Sequence, residues 1–185
     1  MDPLLKLTIA WSLAALFAAS TLHKLLALSE WPGVIRNYRL LPDALTPAAA
    51  AMLLCAGALT AAALLWAPAR KWGACAAASQ LVLFCAALWV NIRRGRTHID
   101  CGCFGLRLRQ GLSRWMVARN LVLALAALAL LLPTSRRELE AVEFAVAFLC
   151  VATLAFLYPV LSIVLQPAPP TYDENYRISA AQRAD

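Results

Sequence analysis

Two cysteines separated by a single glycine, Cys101 and Cys103, lie in a polar segment of an otherwise apolar chain. A disulfide between them must draw the two Cα atoms in from an extended spacing of about 7 Å to a permitted window of about 4.4–6.8 Å. Gly102 makes the necessary bend possible. Because strained and exposed disulfides are the more oxidising ones, this spacing favours a pair that exchanges electrons over one that holds a fold.

Charged residues beside the pair bear on its reactivity. Arg96 and His98 would stabilise a thiolate, whereas Asp100 works against one. The residue types therefore predict thiol–disulfide chemistry at Cys101 and Cys103. The remaining candidate site residues are Gly102, Phe104 and Gly105 in the same segment, and Lys24 from another part of the chain.

Three other interpretations of the pair stay open. The two cysteines could be unreactive thiols, or each could pair with a different partner. They could also form half of a metal site, since His98-x-x-Cys101-x-Cys103 resembles ligand spacing with Asp100 adjacent. A closed zinc site needs four ligands, and His23 is the only other histidine, so we expect no metal.

The rest of the chain indicates a membrane protein. Of 185 residues, 62% are hydrophobic and 15% charged, and the mean hydropathy is +0.68. Five continuous apolar runs are long enough for a hydrocarbon core that needs about 20 helical residues, and they lack the alternation of barrel strands. We therefore predict an all-α, polytopic membrane helical bundle over residues 1–165 with no soluble domain, and a disordered tail over 166–185. The predicted spans cover about 7–28, 44–66, 73–92, 115–132 and 141–165.

Several single residues refine this prediction. The first span is expected to be retained rather than cleaved as a signal peptide, because four more spans follow it. Pro159 should end or kink the last helix. Four tryptophans fall at span ends, where an indole is favoured at the membrane interface. They are Trp31, Trp66, Trp72 and Trp115.

The loop that carries the cysteine pair, Arg93 to Arg114, has 22 residues. It is too short to bury a core of its own. The loops after spans one and three leave the bundle on the same side. We therefore expect this loop to rest on the membrane face near Trp31 and Tyr38, where Phe104 would dock.

The other cysteines lie within predicted spans and are expected to be small, buried apolar residues. Cys85 is the only one near the end of the third span, so it alone could be a second reactive thiol at that face. Lys24 lies near membrane depth on the same side. Its side chain could reach the interface, or it could face the bundle interior and tune Cys101 or Cys103. The span cysteines are Cys55, Cys75, Cys85 and Cys150.

Net charge is +7, but the basic residues lie in loops that border a membrane and no nucleic-acid motif occurs, so we expect no nucleic acid as a partner. Five spans would place twelve basic residues on the side of the cysteine loop and five on the other. By the positive-inside rule, the cysteine loop would then face the cytoplasm. Structural disulfides are rare in that compartment.

The segment Gly95-Arg-Thr-His-Ile-Asp-Cys-Gly-Cys-Phe-Gly105, which follows the third span, resembles the methylamine utilisation protein MauE family of small DoxX-like membrane proteins. Two weaker features agree with the resemblance: Ser20-Thr-Leu-His-Lys24 at the end of the first span and Asn37-Tyr-Arg-Leu-Leu-Pro42 before the second. The likeness extends roughly from Leu7 to Leu165.

The resemblance implies an inner-membrane factor that matures methylamine dehydrogenase, a periplasmic quinoprotein whose small (beta) subunit carries many disulfides. It also implies a thioredoxin-like partner similar to MauD. A loop of this length could not itself be a disulfide isomerase, which fits the need for an external thiol protein. This function requires the cysteine loop to face the periplasm, against the arginine count, and we follow the family on this point.

Two other functions stay open, so enzyme activity is left undecided. The chain could be a thiol:quinone oxidoreductase, in which case quinone would be its cofactor; otherwise no cofactor is expected. It could also be a non-redox scaffold or chaperone in the same pathway.

Overall fold

The computed structural model describes residues 1–96, 112–135 and 140–164, with side chains described as far as residue 157. Helices account for the regular structure of these ranges, and no strand occurs in them, which confirms the all-α prediction. Short 3₁₀ turns at Asp43–Leu45 and Ala67–Ala69 precede two of the helices. The helices are α1 (Pro3–Leu26), α2 (Trp31–Asn37), α3 (Thr46–Leu65), α4 (Arg70–Arg93), α5 (Arg114–Ala129) and α6 (Ala141–Val164).

Three segments in the described ranges are long and apolar enough to cross a membrane, namely Pro3–Leu26, Asp43–Leu65 and Ala67–Arg93. These correspond to the first three predicted spans. Helix α5 has 16 residues, or about 24 Å, less than the roughly 30 Å of a hydrocarbon core. A membrane helical bundle is supported, and the number of five crossings stays a prediction.

Capping residues and prolines account for some of the helix ends and not for others. Asp2 caps α1, its carboxylate accepting from the backbone N–H of Leu4 at 2.8 Å, and Pro3 occupies the first helical position. We expected Pro159 either to end or to kink the last helix. Helix α6 continues past Pro159 to Val164, so the proline does not end it. Helix α2 was not predicted, because its seven residues carry too little periodicity to stand out.

The core is built largely from small side chains, which let helices approach closely in lipid. Helices α1, α3, α4 and α5 all contribute to one buried cluster. Between α3 and α4, the Gln80 amide donates to Thr60 Oγ1 at 2.6 Å and adds a polar link. Helix α6 packs on α1, where the Trp11 and Phe144 rings lie 6.4 Å apart. The cluster comprises Ala10, Leu13, Ala14, Phe17, Ala61, Leu64, Ala74, Ala77, Ala78, Leu81, Ala124, Ala127 and Leu130.

The bundle has two ends, which we name after the lysines of α1. At the Lys6 end, Lys6 Nζ donates to Thr134 Oγ1 at 2.8 Å and to the Leu132 carbonyl at 3.2 Å, so the start of α1 meets the end of α5. At the Lys24 end lie the end of α1, all of α2, the start of α3, the end of α4 and the start of α5. The predicted redox loop connects α4 to α5 at the Lys24 end.

The interfacial tryptophans divide into two kinds. Trp66 and Trp72 are 67% and 77% exposed, as expected for side chains that face lipid headgroups. Trp31 is only 7% exposed, and its indole N–H donates to the Ala50 carbonyl at 3.2 Å. Trp31 therefore packs against α3 and anchors α2 there, and its position at the membrane interface stays a prediction. The boundary at 165 and the tail over 166–185 lie outside the described residues.

Candidate functional site

The predicted redox segment lies outside the described residues, and its placement stays a prediction. This applies to Cys101 and Cys103 and to the rest of the segment named above: His98, Asp100, Gly102, Phe104 and Gly105. The structure does describe both flanks of the segment, up to Arg96 before it and from Leu112 after it. The geometry of these flanks determines where the segment must start and finish.

Helix α4 ends in a Schellman motif immediately before the segment. The N–H of Gly95 donates to the Ile92 carbonyl and that of Arg96 to the Asn91 carbonyl, at 3.1 and 3.0 Å. The motif needs a left-handed residue, and Gly95 supplies it with φ +72°. Such a motif commonly brings the side chain after the turn back towards the last helical turn, so the chain leaves α4 at a fixed angle.

Helix α5 begins directly after the segment and is anchored by Leu112. This side chain is 4% exposed and packs with Leu88 of α4 and Met116 of α5. Tyr38, from the loop after α2, packs against the same cluster. The two flanks of the segment are thus held beside the first loop, although the resting place of the segment itself stays a prediction.

Lys24 is half-buried and lies between two aromatic rings. Its Nζ is 4.8 Å from the centre of the Trp31 ring and 5.5 Å from that of Phe84. These contacts join the end of α1 to α2 and to α4. Lys24 therefore contributes to the packing of the Lys24 end, and a role in tuning the cysteine pair stays a prediction.

Buried polar atoms at the base of the segment were not identified from the sequence. Asn91 is 0% exposed; its amide donates to the Ala87 carbonyl at 3.0 Å, and its Oδ1 has no partner. Arg96 Nη1 and Ser113 Oγ are also buried without a hydrogen-bond partner. An asparagine three residues after Leu88, on the same helical face, is the signal that could have found Asn91. Such groups can hold water or bond to another chain.

The described cysteines differ from expectation. Cys55, Cys75 and Cys150 are free thiols on exposed helix surfaces that would face lipid, not buried apolar groups. Cys85 is half-buried, and its thiol donates to the Val117 carbonyl of α5 at 3.5 Å. This contact gives the Cys85 thiol a partner on α5. Within the described ranges, no group of three or more His, Cys, Asp or Glu side chains is placed to hold a metal ion.

Comparison with known proteins decides the family. The family model described as "Methylamine utilisation protein MauE" matches residues 2–133, well over half of the chain. This chain belongs to the MauE family. It is 44% identical over 133 residues to the methylamine utilization protein MauE of Paracoccus denitrificans, covering 70% of this chain and 72% of that protein. The identity with the Paracoccus versutus protein is 43%, over 85% of both chains.

A more distant MauE relative, from Methylophilus methylotrophus, is 35% identical over 84% of this chain and 82% of its own length. No solved structure matches the chain. Membership of the MauE family confirms the resemblance, a role in methylamine utilisation and, with the long apolar helices, a membrane protein. The family match includes α1 to α5 and the Cys-Gly-Cys segment, and it ends at the turn after α5.

Proposed function

We propose that this MauE family member is an inner-membrane factor that matures the small (beta) subunit of methylamine dehydrogenase. In this proposal, Cys101 and Cys103 relay electrons between that subunit and a thioredoxin-like protein similar to MauD. The observation that carries it is a Cys-Gly-Cys segment, in a MauE chain, whose two flanks are anchored at one end of a helical bundle. Anchored flanks favour presentation of the pair to soluble partners at the membrane surface.

The relay is a two-electron exchange. A thiolate of the pair attacks a partner disulfide, forms a mixed disulfide and releases one partner thiol. The second cysteine then attacks the mixed disulfide, which leaves a Cys101–Cys103 disulfide and a partner dithiol. The reverse sequence oxidises a dithiol of the substrate subunit, and the direction follows from the reduction potentials of the two pairs.

The state of Cys85 supports this proposal over a thiol:quinone oxidoreductase. That alternative calls for a second reactive cysteine near the same face, and Cys85 was its only candidate. Its thiol is instead engaged with the Val117 carbonyl. The relay to a soluble thiol protein needs no such residue. The non-redox scaffold hypothesis makes a different prediction, because under it neither Cys101 nor Cys103 is needed for maturation of the dehydrogenase.

The first test is maturation by cysteine variants of the full chain. Cys101→Ser and Cys103→Ser should each leave the protein in the membrane but abolish accumulation of the correctly bridged dehydrogenase subunit. One of them should be recovered as a mixed disulfide with a thioredoxin-like protein, because the resolving thiol is missing. Cys150→Ala is the matched control, since it removes an exposed span thiol. Normal maturation by the Cys101→Ser, Cys103→Ser double variant would refute the relay.

The second test addresses the side of the membrane. Our proposal places the Lys24 end in the periplasm, whereas its basic residues favour the cytoplasm. A membrane-impermeant maleimide applied to intact cells should label Cys101 or Cys103. A Ser135→Cys reporter at the Lys6 end, in a chain with Cys101 and Cys103 replaced, should be labelled only after the cells are broken. The opposite pattern would place the pair in the cytoplasm and exclude a direct periplasmic role.

A further inference from the structure

Two exposed arginines are held side by side at the Lys24 end. Arg94 Nη1 donates to the carbonyl oxygen of Arg39 at 3.4 Å and so joins the end of α4 to the loop after α2. Both turns use left-handed backbone: φ is +47° at Arg39 and +72° at Gly95. Arg39 is the only non-glycine residue in the described ranges with positive φ, a conformation that costs free energy.

Within the described ranges, neither guanidinium has an acidic partner. The nearby Arg36 pairs with Asp43 at 3.7 Å, and Arg39 and Arg94 take no part in that ion pair. Arg94 donates a single N–H to the Arg39 carbonyl, so most of the N–H donors of the two side chains remain available to a ligand. The Arg94 guanidinium lies against the backbone from which the Arg39 side chain leaves, and two cationic side chains that start this close together favour a bound anion.

The depth of Arg39 and Arg94 in a membrane indicates what kind of anion they would bind. Helix α4 has 24 residues and a length of about 36 Å, so Arg94, just past its end, reaches the headgroup level of a bilayer whose hydrocarbon core is roughly 30 Å thick. Trp89, Leu40 and Leu41 lie close by in sequence and are exposed. The Trp89 ring itself lies against Arg93, 5.1 Å from the guanidinium carbon. Exposed indole and leucyl side chains close to basic residues match the boundary between acyl chains and phosphates better than a water-facing protein interface.

We propose that Arg39 and Arg94 bind the phosphate of an anionic phospholipid at the Lys24 end of the bundle. Guanidinium groups suit this ligand because their planar forks match phosphate oxygens two at a time. The bound lipid would join α4 to the loop after α2, beside the point where the Cys-Gly-Cys segment leaves α4. The inference is independent of the redox proposal, because it concerns neither cysteine.

The test is lipid retention by the full chain in mild detergent, measured by native mass spectrometry. Dioleoyl phosphatidylglycerol should be retained in preference to dioleoyl phosphatidylcholine, which has the same acyl chains. The Arg39→Asn, Arg94→Gln double variant should bind phosphatidylglycerol about tenfold or more weakly. Asparagine is chosen at position 39 because it tolerates positive φ better than most residues.

The matched control is the Arg93→Gln, Arg114→Gln double variant, which removes the same charge from two exposed arginines at the same end. It should retain phosphatidylglycerol to within about threefold of the parent chain. Equal losses in both double variants would show a diffuse basic surface and overturn the site, as would equal retention of the two lipids. Displacement by millimolar inorganic phosphate would show a free-phosphate site instead. If Arg39→Asn prevents folding, Arg94→Glu alone should abolish the preference, and a preference kept in that variant would refute the proposal.

Discussion

At the scale of single residues, the thiols of this chain divide by environment. Cys55, Cys75 and Cys150 are exposed on helix surfaces, and Cys85 donates to the carbonyl of Val117. None of these four is placed in a charged loop, where a thiolate would be stabilised. Reactive thiol chemistry is therefore expected at Cys101 and Cys103 rather than within the spans.

Replacing span cysteines should consequently have small and unequal effects. Cys75→Ala and Cys150→Ala should change the free energy of unfolding by less than about 0.5 kcal/mol, because each removes an exposed sulfur. Cys85→Ala should cost about 1 kcal/mol, because it removes a half-buried group and its hydrogen bond. Denaturation in detergent followed by circular dichroism measures these values. Loss of dehydrogenase maturation in a well-expressed Cys150→Ala strain would contradict our assignment of that residue.

At the scale of elements, two glycines set how closely the helices pack. A Cβ on Gly73 would lie 2.8 Å from the backbone nitrogen of Leu64 and 3.0 Å from the carbonyl carbon of Ala63, at the turn from α3 to α4. A Cβ on Gly57 would lie 2.8 Å from Thr21 Oγ1, on the side chain of a neighbouring helix. Backbone cannot move aside as a side chain can. The α3–α4 turn therefore depends more strictly on its glycine than the α1–α3 contact does.

Alanine substitutions at these glycines should lower the free energy of unfolding by different amounts. Gly73→Ala should cost about 2 kcal/mol or more, because two packed helices must separate. Gly57→Ala should cost about 1 kcal/mol, because the Thr21 hydroxyl can rotate. Gly33→Ala is the control: nothing lies within 4 Å of its Cβ, and alanine favours the helical state, so stability should hold or rise slightly. Thermal unfolding in detergent gives the order, and a Gly33→Ala variant less stable than Gly73→Ala would contradict it.

At the scale of the whole molecule, charge is distributed unevenly between the two ends. In the described ranges the Lys24 end carries eight basic and two acidic side chains, whereas the Lys6 end carries three of each. Basic residues at one end of a bundle determine orientation and attract anionic lipid. The opposite end is closed by specific hydrogen bonds instead, where Lys6 contacts Leu132 and Thr134.

The hydrogen bonds at the Lys6 end should make the stability effects of substitutions in α1 and in the turn after α5 depend on each other. Lys6→Met and Thr134→Val should show an interaction free energy of about 0.5–1 kcal/mol in a double-mutant cycle, because each removes one partner of a 2.8 Å hydrogen bond. Lys71→Met with Thr134→Val is the comparison cycle and should be additive. Additivity in the Lys6 cycle would show that this contact does not hold α1 to the end of α5.

The sequence by itself determined the fold class and the chemistry to look for. Continuous Ala- and Leu-rich runs can satisfy their backbone in lipid only as helices, so the all-α bundle and the approximate course of α1, α3 and α4 followed from composition and length. The spacing of Cys101 and Cys103 around Gly102, together with the charged residues beside it, favoured a redox pair. The candidate residues of that segment remain predictions from sequence.

Only the tertiary structure decided which side chains meet. Trp31 is buried against α3, Lys24 lies between two rings, and Asn91 is enclosed at the base of the segment. Hydropathy cannot show this, because every face of an apolar span in lipid looks alike, and small residues permit several packings. The contact of the Arg94 side chain with the Arg39 carbonyl likewise depends on two left-handed turns, which converge only when α2 and α4 have each packed against α3.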